Sequence, residues 1–351
     1  MRLEELIGQA QAVTVLQRAI ATARVPHAYL FEGPTGVGKR SAAVGLAMAL
    51  NCEAPDPRAR ACGTCESCRR IAGGLHPDVM TFAPDGTQIL MEQAQEIVAL
   101  GQRRPHEGRA RVVIVDDADR MNASASNCLL KTLEEPSSGT HLVLVTPAPE
   151  RLLATIRSRT QRVRFRSVLP GDLLELGAKR GIDRSSLDTE VAAIVAGGCV
   201  SRFVELAMNT EDHETHEAMV ALRAAARDRG IASILDAAVS LGDKESKHRL
   251  PDTLALLARV YRDALVTAVG APELALLGGA TGAAGGAGRA QESGAQVDRP
   301  WAPPTDLPIP ALGRALGAVV EAESALAGNV NAVMALERLL LNLRREERVT
   351  S

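Results

Sequence analysis

The stretch that most constrains this chain is Ala28-Tyr-Leu-Phe31 running into Gly33-Pro-Thr-Gly-Val-Gly-Lys39-Arg40. A short apolar run closed by a glycine is a buried strand, and Gly33, Gly38 and Lys39 keep the spacing G-x-x-x-x-G-K. Gly33, Gly36 and Gly38 let successive backbone N–H groups curl around phosphate oxygens. Lys39 adds a point charge, and the helix that follows points its positive end at the anion. One position departs from the pattern. Where Ser or Thr would hold magnesium, the chain has Arg40. That leaves three uses open for an ATP/Mg2+ pocket: hydrolysis, binding alone, or a retained fold.

The first 165 or so residues alternate in type. Helices are expected over 11–24, 41–50, 91–101 and 123–133, the last closed by Pro136. Strands are expected over 28–31, 79–82, 111–115 and 142–145. Apolar strands alternating with helices imply a parallel sheet covered on both faces. Beyond Leu169-Pro170 the strands stop and helical patterns take over, ending in a helix over 331–345 with Val333, Leu336, Leu340 and Leu343 on one stripe. The run Gly278–Gly288 is glycine and alanine apart from Thr281, and 300–310 is rich in proline. With so few large apolar groups, 276–306 is expected to be a disordered insertion.

At 351 residues the chain suits two or three domains, and a net charge of −2 argues against a wholly basic nucleic-acid coat. No apolar run reaches the length that spans a bilayer, so a cytoplasmic protein with no membrane partner is expected. Aromatic residues make up 2%, which leaves the core to Leu, Val, Ile and Ala and gives no aromatic interleaving for base stacking. Arg103, Arg104, Arg109 and Arg111 form a basic patch that reads as a solvated face or subunit contact before a DNA contact.

Several residues carry chemistry. Asp116 follows strand 111–115, where an acid beside a phosphate loop holds magnesium through water, and Asp117 stands where a base orients the attacking water. Thr146 ends the next strand, where a hydroxyl can reach a γ-phosphate or cap the strand. Arg159, in Thr155-Ile-Arg-Ser-Arg159, offers a planar fork for phosphate across a subunit boundary, or is a plain surface arginine. Cys52, Cys62, Cys65 and Cys68 follow C-x9-C-x2-C-x2-C. Four thiolates at that spacing suit structural Zn2+ in a module over 52–68. An iron–sulfur cluster and unmetallated thiols are the alternatives. Cys128 and Cys199 are taken as small packing residues.

Together these segments resemble the bacterial clamp-loader family of AAA+ proteins, the loaders of DNA polymerase III. Ile7-Gly8-Gln9 resembles the family's adenine-side box, and His27–Phe31 with Gly33–Lys39 its first strand and loop. The cysteines stand where the family carries a zinc module, followed by His76-Pro77-Asp78. Asp116–Asp119 with Asn127–Pro136 resembles the Walker B segment and its helix. Thr155–Thr160 is similar to the Ser-Arg-Cys segment, with Thr160 in place of the cysteine. Gly198–Arg202 lines up with sensor 2, and Asn329-Val-Asn331 with the end of the collar.

The resemblance implies an α/β P-loop AAA+ base over 1–167, a small helical lid over 168–209 and an all-α collar over 210–351 that oligomerises. It implies a trans finger role for Arg159 and a nucleotide role for Arg202. The implied partners are gamma/tau and delta subunits in a heteropentamer, and through them the sliding clamp and primed DNA. Arg40 and Asp117 depart from active members. Ser41 is one residue late, about 100° around the helix, and Asp is one carbon shorter than the usual Glu. Both losses point to a non-motor subunit with little or no ATPase alone. A self-sufficient gamma/tau-type ATPase is the second reading, and a stand-alone branch-migration motor the third.

Overall fold

The computed structural model describes residues 2–55, 60–135, 137–182, 187–208, 212–228, 230–243, 247–271, 275, 307–328 and 330–347. The insertion expected at 276–306 lies outside them, as do Pro136 and Asn329. The chain divides into two compact units, residues 1–168 with 198–201, and residues 169–197 with 202–351.

The first unit is built on five strands, β1 (Ala28–Glu32), β2 (Val79–Phe82), β3 (Arg111–Val115), β4 (Thr140–Thr146) and β5 (Gln161–Arg164). All pair in parallel, in the order β2-β3-β4-β1-β5. The middles of the central strands β1, β3 and β4 are apolar because both faces are covered, and polar residues stand at their ends. Tyr29, Phe31, Val112, Ile114, Val143 and Val145 face one core, shared with Leu16 of helix α1 (Ala10–Ala21) and Leu46 of α2 (Lys39–Asn51). Leu30, Val113, Val115, Leu142 and Leu144 face the other. There they meet Ile97 of α4 (Met91–Gly101) and Leu129 of α5 (Ala123–Glu134). Between α2 and β2 lies the short α3 (Glu66–Ala72), which contains Cys68. After β4 comes one turn of helix, α6 (Ala154–Arg157), and then β5, a strand that sequence patterning did not anticipate.

The second unit is helical. It comprises α7 (Pro170–Lys179), α8 (Leu187–Val195), α9 (Val200–Met208, whose first two residues belong to the first unit), α10 (Asp212–Arg227), α11 (Ala232–Gly242), α12 (Leu250–Ala268), α13 (Ile309–Ala327) and α14 (Ala332–Glu347). One apolar cluster joins Val195 of α8 to Leu222, Ile234, Leu257, Val319 and Leu340 of α10 to α14. On α14 the stripe Leu336, Leu340 and Leu343 is fully buried, with Val333 packed at its margin. Among the described residues, no helix is long and apolar enough to cross a membrane.

Candidate functional site

Parallel pairing puts the carboxyl ends of β1, β3 and β4 on one edge of the sheet, where open α/β sheets bind ligands. The loop 33–38 leaves β1 there, and the Gly33 N–H donates to the Thr146 carbonyl at 3.3 Å. Gly36 (φ 72°) and Gly38 (φ 98°) are left-handed, and Gly38 caps α2. At Gly36 a side chain is excluded by packing as well. A Cβ there would lie 2.0 Å from Cys199 Sγ, and the Val200 N–H donates to the Gly36 carbonyl at 2.9 Å. Segment 198–201 therefore rests on the loop, so Cys199 packs against Gly36 itself rather than filling a general core. Gln9 locks the corner from the other side. Its buried amide donates to the Arg166 and Val37 carbonyls at 2.7 and 3.4 Å and accepts from the Arg166 N–H at 3.0 Å.

Lys39 is 6% exposed and donates to the Gly33 and Pro34 carbonyls at 2.6 and 2.5 Å. Burial lowers its pKa, with the charges of Asp116, Asp117 and Asp119 opposing. Arg40 Nε lies 3.8 Å from Asp116 Oδ2. Burial, then the neighbouring Asp117 charge, raises the Asp116 pKa, while Arg40 and Lys39 pull it back. Asp117 is left-handed (φ 47°) and lies 3.9 Å from Arg120. The fully buried Thr146 hydroxyl donates to Asp119 Oδ1 at 2.7 Å and accepts from the Ala148 N–H at 2.9 Å.

These residues do not fit a magnesium ion. The loop supplies no hydroxyl at position 40, a guanidinium faces Asp116, and the Asp119 carboxylate is engaged by Thr146. The corner unites Gly33, Gly36, Gly38, Lys39, Arg40, Asp116, Asp117 and Thr146. Arg202 belongs to the second unit, where it pairs with Asp252.

Arg159 stands on the opposite edge. It precedes β5, so it lies at the amino end of a strand parallel to β1. The phosphate loop follows the carboxyl end, on the order of 13 Å away for four residues of strand. The Arg159 guanidinium pairs with Glu134, at the end of α5, at 2.7 Å and donates to the Thr155 carbonyl at 3.0 Å.

The four cysteine Sγ atoms lie within 4.8 Å of one another. A tetrahedron with Zn–S bonds of 2.3 Å has edges of about 3.8 Å, so the donor set fits a metal with little movement. Backbone N–H groups already point at sulfur: Cys65 N–H to Cys62 Sγ at 3.3 Å and Cys68 N–H to Cys65 Sγ at 3.4 Å. The Thr64 hydroxyl, then the Cys65 and Thr64 N–H groups, draw the Cys62 pKa down to about 6, while burial pushes Cys68 up.

Sequence reasoning missed several partners. Buried Glu32 takes Arg162 and Arg164 at 2.6 and 2.8 Å. Asp78, fully buried, accepts the His106, Glu107 and Gly108 N–H groups and pairs with Arg111 at 2.8 Å. Arg111 is therefore not part of the expected basic patch: its charge is consumed in the interior, whereas Arg103, Arg104 and Arg109 are exposed. The first residue of β3 being charged was the one signal available for this pair.

Residues 8–168 match the family described as DNA polymerase III, delta subunit. The chain is 36% identical to the DNA polymerase III subunit delta' of Bacillus subtilis over 61% of this chain and 64% of that one. It is 42% identical to the delta' of Pseudomonas aeruginosa over 38% and 41%. It is also 37% identical to the gamma/tau subunit of Mycobacterium tuberculosis over 50% and 30%. The chain thus spans less than two thirds of the length of each of these relatives. Among solved structures, a gamma subunit-related protein of Thermotoga maritima is similar at 17% identity and a TM-score of 0.41, over 95% of this chain and 99% of that one. Through residues 8–168, the chain is thus similar to the family described as DNA polymerase III, delta subunit, and to delta' and gamma/tau subunits of that polymerase.

Proposed function

We propose that the protein is a delta'-type clamp-loader subunit that helps an ATP-dependent loader place the sliding clamp on primed DNA in replication. It would bind gamma/tau and delta subunits in a heteropentamer and supply Arg159 to the ATP site of a gamma/tau neighbour. The opposition of the two sheet edges carries this reading. At one edge a phosphate cradle lacks the hydroxyl that grips magnesium. At the other an arginine fork stands out of reach of its own cradle. In this reading the cradle holds nucleotide with little or no turnover. Residues 168–209 serve as that lid and 210–351 as the oligomerising collar. The four cysteines hold structural zinc, since four thiolates leave no open position for catalysis. The protein works in the cytoplasm and has no membrane partner.

Arg159→Ala tests the role. The Glu134 pair it breaks is surface-exposed and contributes about 1 kcal/mol or less, so the variant should melt like the parent. In a complex reconstituted with gamma/tau and delta, ATPase should fall by roughly 10³-fold or more, the range of a trans arginine. Undiminished turnover rejects the finger.

A second reading, a self-sufficient gamma/tau-type ATPase, draws on the gamma/tau relatives and on retained Lys39. DNA-stimulated phosphate release by the chain alone, abolished in Lys39→Ala, would establish it.

A further inference from the structure

The corner after β1 keeps the groups that grip phosphate and replaces the group that grips metal. Gly36 and Gly38 hold the loop left-handed at the N-terminus of α2, and the Lys39 ammonium is buried beneath it. Magnesium demands near-octahedral oxygen ligands at 2.0–2.1 Å. Here the first-turn hydroxyl is absent and the Ser41 hydroxyl is rotated about 100° away. Asp119 is bonded to Thr146, and the Asp116 carboxylate faces Arg40 across 3.8 Å. A dication beside Asp116 would sit against a permanent guanidinium charge.

That guanidinium can do part of the metal's work. Its planar fork matches two phosphate oxygens. Its side chain is 63% exposed, so it is free to swing from the long contact with Asp116 toward an anion over the loop. Asp116, no longer a metal ligand, would hold the arginine in place.

We infer that this pocket binds a nucleoside di- or triphosphate without a divalent cation, with Arg40 standing where the metal would be and Asp116 positioning it. The inference rests on the reading that the cradle holds nucleotide at all. It goes beyond that reading by fixing the chemical form of the ligand: the free nucleotide rather than its magnesium complex.

Equilibrium dialysis of the full chain with labelled ATP and ADP tests it. One arm uses buffer stripped of divalent ions on a chelating resin, and the other uses the same buffer with added magnesium. Stripping the buffer beforehand, rather than adding a soluble chelator, spares any metal on the cysteines. Wild-type affinity should agree between the arms to within about twofold. Arg40→Ser should lose roughly tenfold in stripped buffer and recover with magnesium, a factor that corresponds to about 1.4 kcal/mol. Arg40→Lys keeps the charge without the fork and should fall between them.

Wild-type binding that tightens about tenfold or more with magnesium overturns the inference and leaves nucleotide binding standing. So does an Arg40→Ser chain that binds as well as wild type in stripped buffer. No binding of either nucleotide in either arm removes the nucleotide reading, and the inference with it.

Discussion

Helix α2 joins two different candidate sites. At its N-terminus Gly38 caps the helix beside Lys39 and Arg40, and at its C-terminus Cys52 is the cap residue of a four-cysteine cluster. The thirteen residues between them span about 20 Å. The cysteine end gathers four sulfurs within 4.8 Å of one another, with backbone N–H groups donating to two of them. The phosphate end has a complete cradle but an incomplete metal grip, its slot closed by an ion pair. Two ends of one element can therefore diverge in function while sharing one core, because Leu46, Ala47, Cys52 and Cys68 all pack in the same cluster. The fold needs the helix, and each end answers separately for its own chemistry.

The largest expected effect separates the ends. Removing metal from the cysteine cluster, by a thiol-reactive chelator or by Cys65→Ser, should destabilise the whole first unit. Structural zinc sites carry on the order of 10–16 kcal/mol of binding free energy, and Cys52 and Cys68 are fully buried. Thermal melting should fall steeply, with about one zinc released per chain. Magnesium depletion, in contrast, should leave melting unchanged. A chain that melts identically with and without cysteine-bound metal would erase the contrast and make the cluster four ordinary thiols.

Much of this was legible in the sequence, for physical reasons that particular residues show. β1, β3 and β4 are buried on both faces and so stand out as apolar runs. The phosphate loop and the cysteines were legible because chain geometry fixes their spacing locally. β5 was not, because only Val163 of Gln161–Arg164 points inward and its identity as a strand comes from pairing with β1 far away in the chain. The same holds within the site. Thr146 on Asp119, Cys199 on Gly36 and Asp78 on Arg111 are non-local pairs, and no local pattern encodes which buried acid will meet which donor. Arg111, grouped with the exposed arginines from composition, turned inward because Asp78 and three N–H groups waited for it.

Asp78 gives the second prediction, smaller than metal loss. Its carboxylate gathers loop 102–110, which in turn holds the C-terminal end of α2 through the Ala110 N–H to Asn51 Oδ1 at 2.9 Å. Glu107 of the same loop takes Arg70 of α3. Burial acts to raise the Asp78 pKa, but Arg111 and the N–H groups of Gly108, His106 and Glu107 outweigh it, and the net shift is well below the ordinary range. A depressed carboxyl stabilises the fold above its unfolded value of about 3.9 and loses that contribution as pH falls further. Asp78→Asn leaves Arg111 buried without its counter-charge, so it should cost about 3–5 kcal/mol at neutral pH in urea unfolding. The gap from wild type should narrow as pH falls below about 4. A gap independent of pH would mean that the acid works through shape alone. Damage confined to the cysteine end would show as metal loss with nucleotide binding retained.

The smallest effects compare one glycine from each end. Gly36 (φ 72°) and Gly63 (φ 74°) share a left-handed backbone, the first in the phosphate loop and the second between Cys62 and Cys65. Alanine in that conformation costs about 1–2 kcal/mol at either site. Their surroundings differ: a Cβ at Gly63 meets nothing within 4 Å, whereas at Gly36 it meets Cys199 Sγ at 2.0 Å. Gly63→Ala should therefore show the backbone cost alone. Gly36→Ala should add the cost of displacing Cys199 and loosening the Val200 contact, of the order of 1 kcal/mol more for a crowded site. Pairing Gly36→Ala with Cys199→Ala removes the 2.0 Å contact and leaves Ser201 Oγ at 3.0 Å and the position-199 Cβ at 3.2 Å, so the double variant should recover most of the added part. If the two single variants cost the same, segment 198–201 does not rest on the phosphate loop in solution, and the loop is as open as the cysteine turn.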